Sequence, residues 1–518
     1  MGASRTSRKF NFDAGVGLIY GSENLPTWMV EGVAQYDSML YGADPYDTHR
    51  EMILRMATLE DNLLTIDQMD VIQDKNSLQA EMVYNQGFSM NTFIGENWGL
   101  DMPAKMWHES GLGFYPTYNR MLKKELGVDR DTLYNQWKAY LTQKYNRQVS
   151  GILGSEAKGF KIKPFYDDPP DAEMTDEDMW YEGIFNLYPV YSPDGEYLAF
   201  TSNHGSMRGG NNVWVWKTHP DPEKINEGKV KKVGTVFFGT GPSWSPDSKE
   251  FVYTTAAADE YRGYYRSDLS VYNVEKEKIK QITFELRASQ PAWSPVGDKI
   301  AFIINSDGQN KLAVMDYPGI SGHYILVEFD DMTQMGAPTW SPDGSKIAFI
   351  MYRHRQQDIW MVDADGSNLR PVTYDHFDNR DPWWGPDGKD VFFASDRSGI
   401  YNIYKKNLET HELTQITDVI GGAFFPRGEG RRFGDDVLLL HVPRLQALRD
   451  RQGDVAEQES RGLSLRRHRR RDPAQHHDAR ARPRDSRPGF QRLRRLRQPV
   501  PDPQGSSGDV AVDSHRQL

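Results

Sequence analysis

Apolar residues fall in two registers along this chain. Up to about residue 147 they recur every three or four positions. From about 185 to 426 they come in short runs broken by proline and glycine. The first register predicts helices. In residues 28–41 (WMVEGVAQYDSMLY), Met29, Val33 and Tyr36 share one face, with Val30 and Ala34 beside them. Residues 48–59 form a second helix. Residues 77–98 form a long third, anchored by Met82, Phe88, Phe93 and Ile94. Residues 119–126 and 132–145 complete an all-α bundle over 1–147, with Gly127 just past the former helix and Asp131 as N-cap of the latter.

The second register predicts strands. Residues 336–373 read as an aromatic, a Ser341-Pro342-Asp343-Gly344 turn, an apolar run at 347–351, a second at 358–362, an Asp365-Gly366 hairpin turn and a last short strand. Proline suits the second position of a tight turn, and aspartate and glycine the next two. The turn recurs at Pro193, Pro246, Pro295 and Pro386, in steps of 53, 49, 47 and 44 residues. Four strands per roughly 40–50-residue unit is the signature of a β-propeller. Each turn is followed by a strand apolar on both faces, and the aromatic before each turn is expected to wedge between neighbouring blades. Five blades are clear. A sixth opens at 421–426 (GGAFFP) and then loses its turn, leaving one apolar strand at 437–442. A ring of five and a fraction blades is expected to be open or badly closed, because a propeller hides its strand edges by closing.

These W-S-P-D-G-x-x-I-A-F repeats resemble the TolB-type propeller family, related to WD-type repeats, over about 185–426. The fold class expected is therefore a multidomain α plus all-β chain: an N-terminal helical bundle, a linker over 148–184, the propeller and a basic tail over 427–518. The linker carries Asp167-Asp168-Pro169-Pro170-Asp171, and residues 160–165 alternate like an edge strand.

Charge alters the picture only at the end. The net charge of −11 conceals a C-terminal stretch, 444–518, with 18 Arg and 10 acidic residues, so the rest stands at −19. An acidic body argues against nucleic acid as main partner. Lysine stops at Lys406, and Phe490 is the only aromatic from 444 onward. Such a tail cannot bury enough apolar surface to order itself, so it is expected to be disordered. The abrupt switch from Lys to Arg, where a blade collapses in mid-repeat, points to a shifted reading frame. The chain has no cysteine, which excludes disulfides and thiolate chemistry. No apolar run reaches the ~20 residues that span a bilayer. The stretch 16–20 is too short for a signal peptide, so the protein is either cytoplasmic or lacks its true start. Freedom from cysteine fits an exported bacterial protein.

Candidate chemistry sits in the helical part. The segment Pro26-Thr27-Trp28-Met29-Val30-Glu31-Gly32-Val33-Ala34-Gln35-Tyr36 resembles the P-x-W-x-x-E-G-x-A-x-Y segment of gluzincin zinc peptidases. The resemblance, over about 24–146, implies Glu31 as third zinc ligand, after two His of an H-E-x-x-H motif. Tyr84-Asn85-Gln86-Gly87 resembles the family's Y-x-x-G segment, which implies the Tyr84 hydroxyl as stabiliser of the oxyanion. On the residues alone, Glu31 reads as a surface or capping carboxylate, and Tyr84 as a core tyrosine with its hydroxyl at the rim. The chain departs from the family at the decisive place. No H-E-x-x-H occurs: His108-Glu109 and His411-Glu412 each lack the second His, and no His precedes Glu31. Zinc is thus expected only in the intact family, and this chain is expected to bind no cofactor.

The resemblances imply a bacterial envelope protein, periplasmic or extracellular, whose propeller binds protein or peptide at its rim. The Gly-, Tyr- and Arg-rich insertions at 203–212 and 256–266 are candidate binding loops. Asp363-Ala-Asp365-Gly366 echoes a calcium loop, but its glycine falls at the fourth place instead of the sixth, which favours a hairpin turn. The alternative is metallopeptidase activity in a longer parent carrying H-E-x-x-H. A serine peptidase of the prolyl oligopeptidase type would need a G-x-S-x-G elbow, which the chain lacks.

Overall fold

The computed structural model describes residues 25–41, 48–75, 77–111, 117–152, 186–204, 211–218, 228–236, 241–258, 265–306, 308–319, 322–428 and 437–441. The expected edge strand at 160–165, most of the linker, the tips of both candidate loops and the tail from 442 lie outside them. All of the described residues belong to one compact unit.

Seven helices stand among the described residues: α1 (Thr27–Leu40), α2 (Thr48–Leu59), α3 (Ile66–Met69), α4 (Ser77–Trp98), α5 (Met102–Gly111), α6 (Tyr118–Glu125) and α7 (Arg130–Val149). No helix among the described residues is long and apolar enough to cross a membrane. The periodic residues face inward as expected: Trp28, Met29, Met82, Ile94 and Trp137 share one core, and Val33 is buried too. Two details differ from the sequence reading. The N-cap of α7 is Asp129, not Asp131. Asp129 has extended backbone (φ −88°, ψ 173°) and accepts from the Thr132 amide at 2.9 Å. Asp131 already lies in the first turn, where its carboxylate favours the positive end of the helix dipole. The short α3, held by a Thr65–Gln68 capping box, and α5 were too brief or too sparsely apolar to register as periodic. Gly127 takes φ +76° just beyond α6, as expected.

The propeller has five four-stranded antiparallel blades, each with its strands in chain order. Their first strands are β1 (Asn186–Tyr191), β5 (Ser243–Trp244), β9 (Ala288–Trp293), β13 (Gln334–Trp340) and β17 (Asn379–Trp384). A two-stranded sheet, β21 (Ala423–Gly428) with β22 (Val437–His441), is the incomplete sixth. The second strands are buried on both faces: Ile300, Ala301, Phe302 and Ile303 in β10 (Lys299–Ser306) are at most 1% exposed. Ile300, Phe302 and Ile303 each contribute about 1.5–3 kcal/mol of burial.

The repeated turn is locked by its own side chains. Ser341 Oγ donates to Asp343 at 2.6 Å and accepts from the Lys346 amide at 2.9 Å. Ser192 with Asp194 and Ser245 with Asp247 repeat the arrangement. The expected inter-blade wedge is seen as a hydrogen bond. The indoles of Trp244, Trp340 and Trp384 donate to the carbonyls of Val190, Ala292 and Thr339 in the preceding blade, at 3.0–3.1 Å. At Asp363–Ser367 the chain makes the hairpin turn, with Gly366 at φ +89° and Asp365 accepting from Ser367.

The ring does close, contrary to expectation. The first strands touch in order around it, β1 to β5, β9, β13, β17 and β21, and β21 touches β1 again. The Tyr188 and Phe425 rings meet at 4.3 Å across that seam. Closure depends on the innermost strand of each blade, so a sixth unit of two strands is enough to supply it.

Candidate functional site

Helices α1 and α4 cross backbone to backbone. A Cβ on Gly32 would stand 2.3 Å from the Gly87 carbonyl, and one on Gly87 2.2 Å from the Trp28 oxygen. A Cβ on Gly95 would meet the Tyr36 hydroxyl at 2.1 Å. Small residues two turns apart on α4 (Gly87, Gly95) thus receive residues at one-turn intervals on α1 (Trp28, Gly32, Tyr36), since i, i+4 and i+8 lie on one helix face. The crossing brings the two sequence-predicted site residues together. Glu31 precedes Gly32, Tyr84 lies one turn before Gly87, and both are half-buried. The Tyr84 hydroxyl titrates above its usual range, first through burial and then through the negative charges of Glu31 and Glu81.

Among the described residues, no three His, Asp or Glu side chains converge to hold a metal. A catalytic zinc needs three protein ligands. Glu31 with Tyr84 and Glu81 supplies carboxylates and a phenol but no imidazole. This donor set does not fit a catalytic zinc, and no step through a metal is derived.

In the propeller, antiparallel alternation puts the connections from second to third strand, and from fourth strand to the next blade, on one face. The helical part docks on that face at the corner of blades five and six. Arg55 of α2 is fully buried, and its guanidinium donates to the carbonyls of Ile420 and Gly421 at 2.9 and 2.7 Å. Met52 packs among Tyr401, Val419, Ala423 and Phe424. Thr48 donates to Asp396 at 2.7 Å, and Gln148 at the end of α7 to the Gly399 carbonyl at 2.8 Å. The candidate loops at 203–212 and 256–266 are second-to-third-strand connections, so they leave the blades on this same face.

The sequence reading missed what the other corners of this face expose. Phe284, Met332 and Tyr374 stand in successive blade-to-blade connections and are 68%, 67% and 82% exposed. The signal was available: each follows the end of a repeat, where polar residues are otherwise the rule.

A second missed feature lies around the axis. Tyr188, Gln290, Ala337, Asp381 and Phe425 have φ between +47° and +55°, each in a first strand and each before a proline. Left-handed backbone at such residues costs about 1–3 kcal/mol, and a following proline opposes α-type backbone further. In β1, β13, β17 and β21 the pairing register shifts at these residues, which marks a bulge. The side chains there engage one another. Gln290 accepts from the Ala337 amide at 2.5 Å, and Arg427 lies 4.8 Å over the Trp383 ring. The Tyr188 hydroxyl is pushed up to about 12 by burial, and then by the charge of Asp381. The x-P-x-[WY] spacing in the five complete repeats was the visible trace.

Residues 321–427 match the family model for the TolB beta propeller domain. This part of the propeller is TolB-like. Residues 245–308 match the model for the dipeptidyl peptidase IV N-terminal region. Similar solved structures include TolB from Acinetobacter baumannii, at 17% identity over 47% of this chain and 57% of that one, with TM-score 0.38. Putative TolB from Agrobacterium tumefaciens is 21% identical over 50% of this chain and 91% of that one, with TM-score 0.39. Dipeptidyl peptidase 4 from Porphyromonas gingivalis is 16% identical over 46% of this chain and 40% of that one, with TM-score 0.30. The chain thus spans little more than half the length of the Acinetobacter protein.

Proposed function

We propose that this chain is a protein- or peptide-binding propeller module of a bacterial cell envelope. Its helical part resembles a gluzincin peptidase domain but does not itself supply peptidase chemistry. One observation carries the reading. Three successive blade connections each expose a large apolar side chain on the face that already holds the helical part. Exposed apolar side chains in a connected series mark interaction surfaces. The TolB-type repeats and the match to a peptidase-associated propeller model support it. Selection from a phage-displayed peptide library tests it. Enriched peptides should bind the full chain and lose at least tenfold in affinity on Met332→Asp with Tyr374→Asp. Failure to enrich any peptide would sink the reading. An exported location is tested by fusing the parent gene to a reporter active only outside the cytoplasm.

A second reading is favoured by the meeting of Glu31 and Tyr84 on crossing helices. It holds that a longer parent carries H-E-x-x-H and is a zinc peptidase. A quenched-fluorescent peptide library should then be cut by the parent in the presence of zinc, and not by its Glu31→Ala variant. Equal cleavage by the two would exclude Glu31 as a ligand.

A further inference from the structure

We infer that the outer edge of blade three is a pairing site for an extended segment of a partner protein, which would add a fifth, antiparallel strand to that blade. The segment would carry a basic residue, then a short apolar run, then an acidic residue. This edge is separate from the docking face, so the inference goes beyond the binding reading above and does not rest on it.

In each blade the first strand lies toward the axis and the fourth faces outward. An outward strand shows backbone N–H and C=O groups that no neighbour takes, and folded proteins blunt such edges with charge, proline or brevity. Four of the five blades do so. β4 (Lys229–Thr235) carries Lys229, Lys231 and Lys232, and β8 (Lys278–Gln281) carries Lys278 and Lys280. β16 (Arg370–Pro371) is two residues long with a proline, and β20 (Leu413–Gln415) is three. β12 (His323–Val327, HYILV) has five residues and no Lys, Arg, Asp, Glu or Pro. Its Tyr324 and Ile325 are 40% and 37% exposed, and as neighbours in a strand they lie on opposite faces of the blade. Among the described residues, the backbone of β12 bonds only to β11 (Gln309–Asp316). Alternate residues of β12 therefore turn N–H and C=O groups outward and unpaired. An extended backbone presents donors and acceptors at the matching spacing.

The charges at the two ends of β12 give the ligand its polarity. Near the start, Lys299 lies 5.6 Å over the Tyr324 ring. At the other end Glu328 is exposed, and so is Asp365 in the hairpin turn of blade four. That turn borders β12, since a Cβ on Gly366 would stand 3.4 Å from the Leu326 carbonyl. β11 already follows this polarity. Lys311 pairs with Glu328 at 2.9 Å, and Asp316 with Lys299 at 2.8 Å. A strand antiparallel to β12 on its free side meets the same two ends. A second copy of this chain, joined through five residues, offers too little contact to reach the roughly 1,200 Å² of a stable interface. A short partner segment needs no such area for a reversible contact.

The test uses the full chain and a labelled synthetic peptide of residues 309–316 (QNKLAVMD) as probe, followed by fluorescence anisotropy. The peptide should bind. Affinity should fall at least tenfold when the chain carries Ile325→Lys or Tyr324→Lys, the residue type that blunts β4 and β8. Two N-methylated peptides separate strand pairing from simple adhesion, one modified at Leu312 and Val314, the other at Ala313 and Met315. One should lose binding and the other keep it, because only alternate amides face β12. Equal effects of the two would overturn the inference. So would an intact peptide that fails to bind, or that binds both lysine variants as well as the parent. Exchanging the end charges of the peptide, Lys311→Glu with Asp316→Lys, should weaken binding, and unchanged affinity would overturn the assigned polarity. Self-association of the full chain that Ile325→Lys abolishes would overturn the partner segment in favour of a second copy. Library-selected peptides that need Met332 and Tyr374 should bind the Ile325→Lys chain undiminished, so failure of either site leaves the other standing.

Discussion

The guanidinium of Arg55 donates to the carbonyl of Gly421 across 2.7 Å, joining residues 366 positions apart in the chain. A second nitrogen takes the neighbouring carbonyl of Ile420. Arg55→Ala would leave both carbonyls without their guanidinium partner, the Gly421 one in a buried corner. Hydrogen bonds to charged groups contribute about 1.5–3 kcal/mol, and a stranded buried acceptor costs a similar amount. The expected loss is about 3 kcal/mol, read as a lower urea midpoint. Hydrogen exchange should quicken first at 48–59 and 416–425. Uniform quickening over the whole propeller would contradict a local clasp.

Gly87→Ala should cost about 1–3 kcal/mol, the range for overpacking, because its Cβ would collide with the Trp28 backbone instead of a movable side chain. Gly151, with nothing within 4 Å of its would-be Cβ, is the control. Its alanine variant should be neutral, or more stable by about 0.4–1 kcal/mol through the unfolded chain. Thermal unfolding of the two variants checks the contrast.

Trp340→Phe keeps the apolar wedge and removes the indole donor to the Ala292 carbonyl. About 1–3 kcal/mol should be lost for the stranded acceptor. Trp340→Ala should lose about 3–5 kcal/mol, because a cavity between blades is added. Equal losses in the two variants would show that the hydrogen bond contributes nothing.

Two carboxyl groups give pH dependences of opposite sign. Burial raises Asp37 to about 6. The folded state then holds the proton more tightly than the unfolded chain, so this residue lowers stability as pH rises from about 4 to about 6. Asp37→Asn should be the more stable protein at pH 7 and equal to the parent near pH 4. Asp343 is lowered to about 2, first by the Ser341 hydroxyl, then by the Ser345 amide and hydroxyl. Its contribution is present above about pH 4 and fades as pH falls toward 2. Asp343→Asn should therefore be destabilised at pH 7, with the difference closing in acid. Urea titrations at stepped pH separate the two.

Glu31→Gln should bring the Tyr84 hydroxyl down toward its ordinary range, because one of the charges raising it is removed. A difference titration of tyrosinate absorbance against the parent measures this. An unchanged profile would mean that the two side chains do not share a site.

The blades were legible because what makes them is local. A proline-aspartate turn closed by its own serine, and runs of apolar residues between such turns, need only a few neighbouring positions. The helical faces were legible for the same reason, and so was the likeness that singled out Glu31 and Tyr84. The sequence alone could not say that these two meet, since their meeting depends on Gly32 and Gly87, 55 positions apart, allowing two backbones to touch. Nor could it say that two strands suffice to close the ring, that left-handed residues stand around its axis, or that Arg55 clasps the last corner. Those outcomes were decided by tertiary packing. A contact between distant segments leaves no period in the chain, and its energy depends on which surfaces remain unpaired once the local elements have formed.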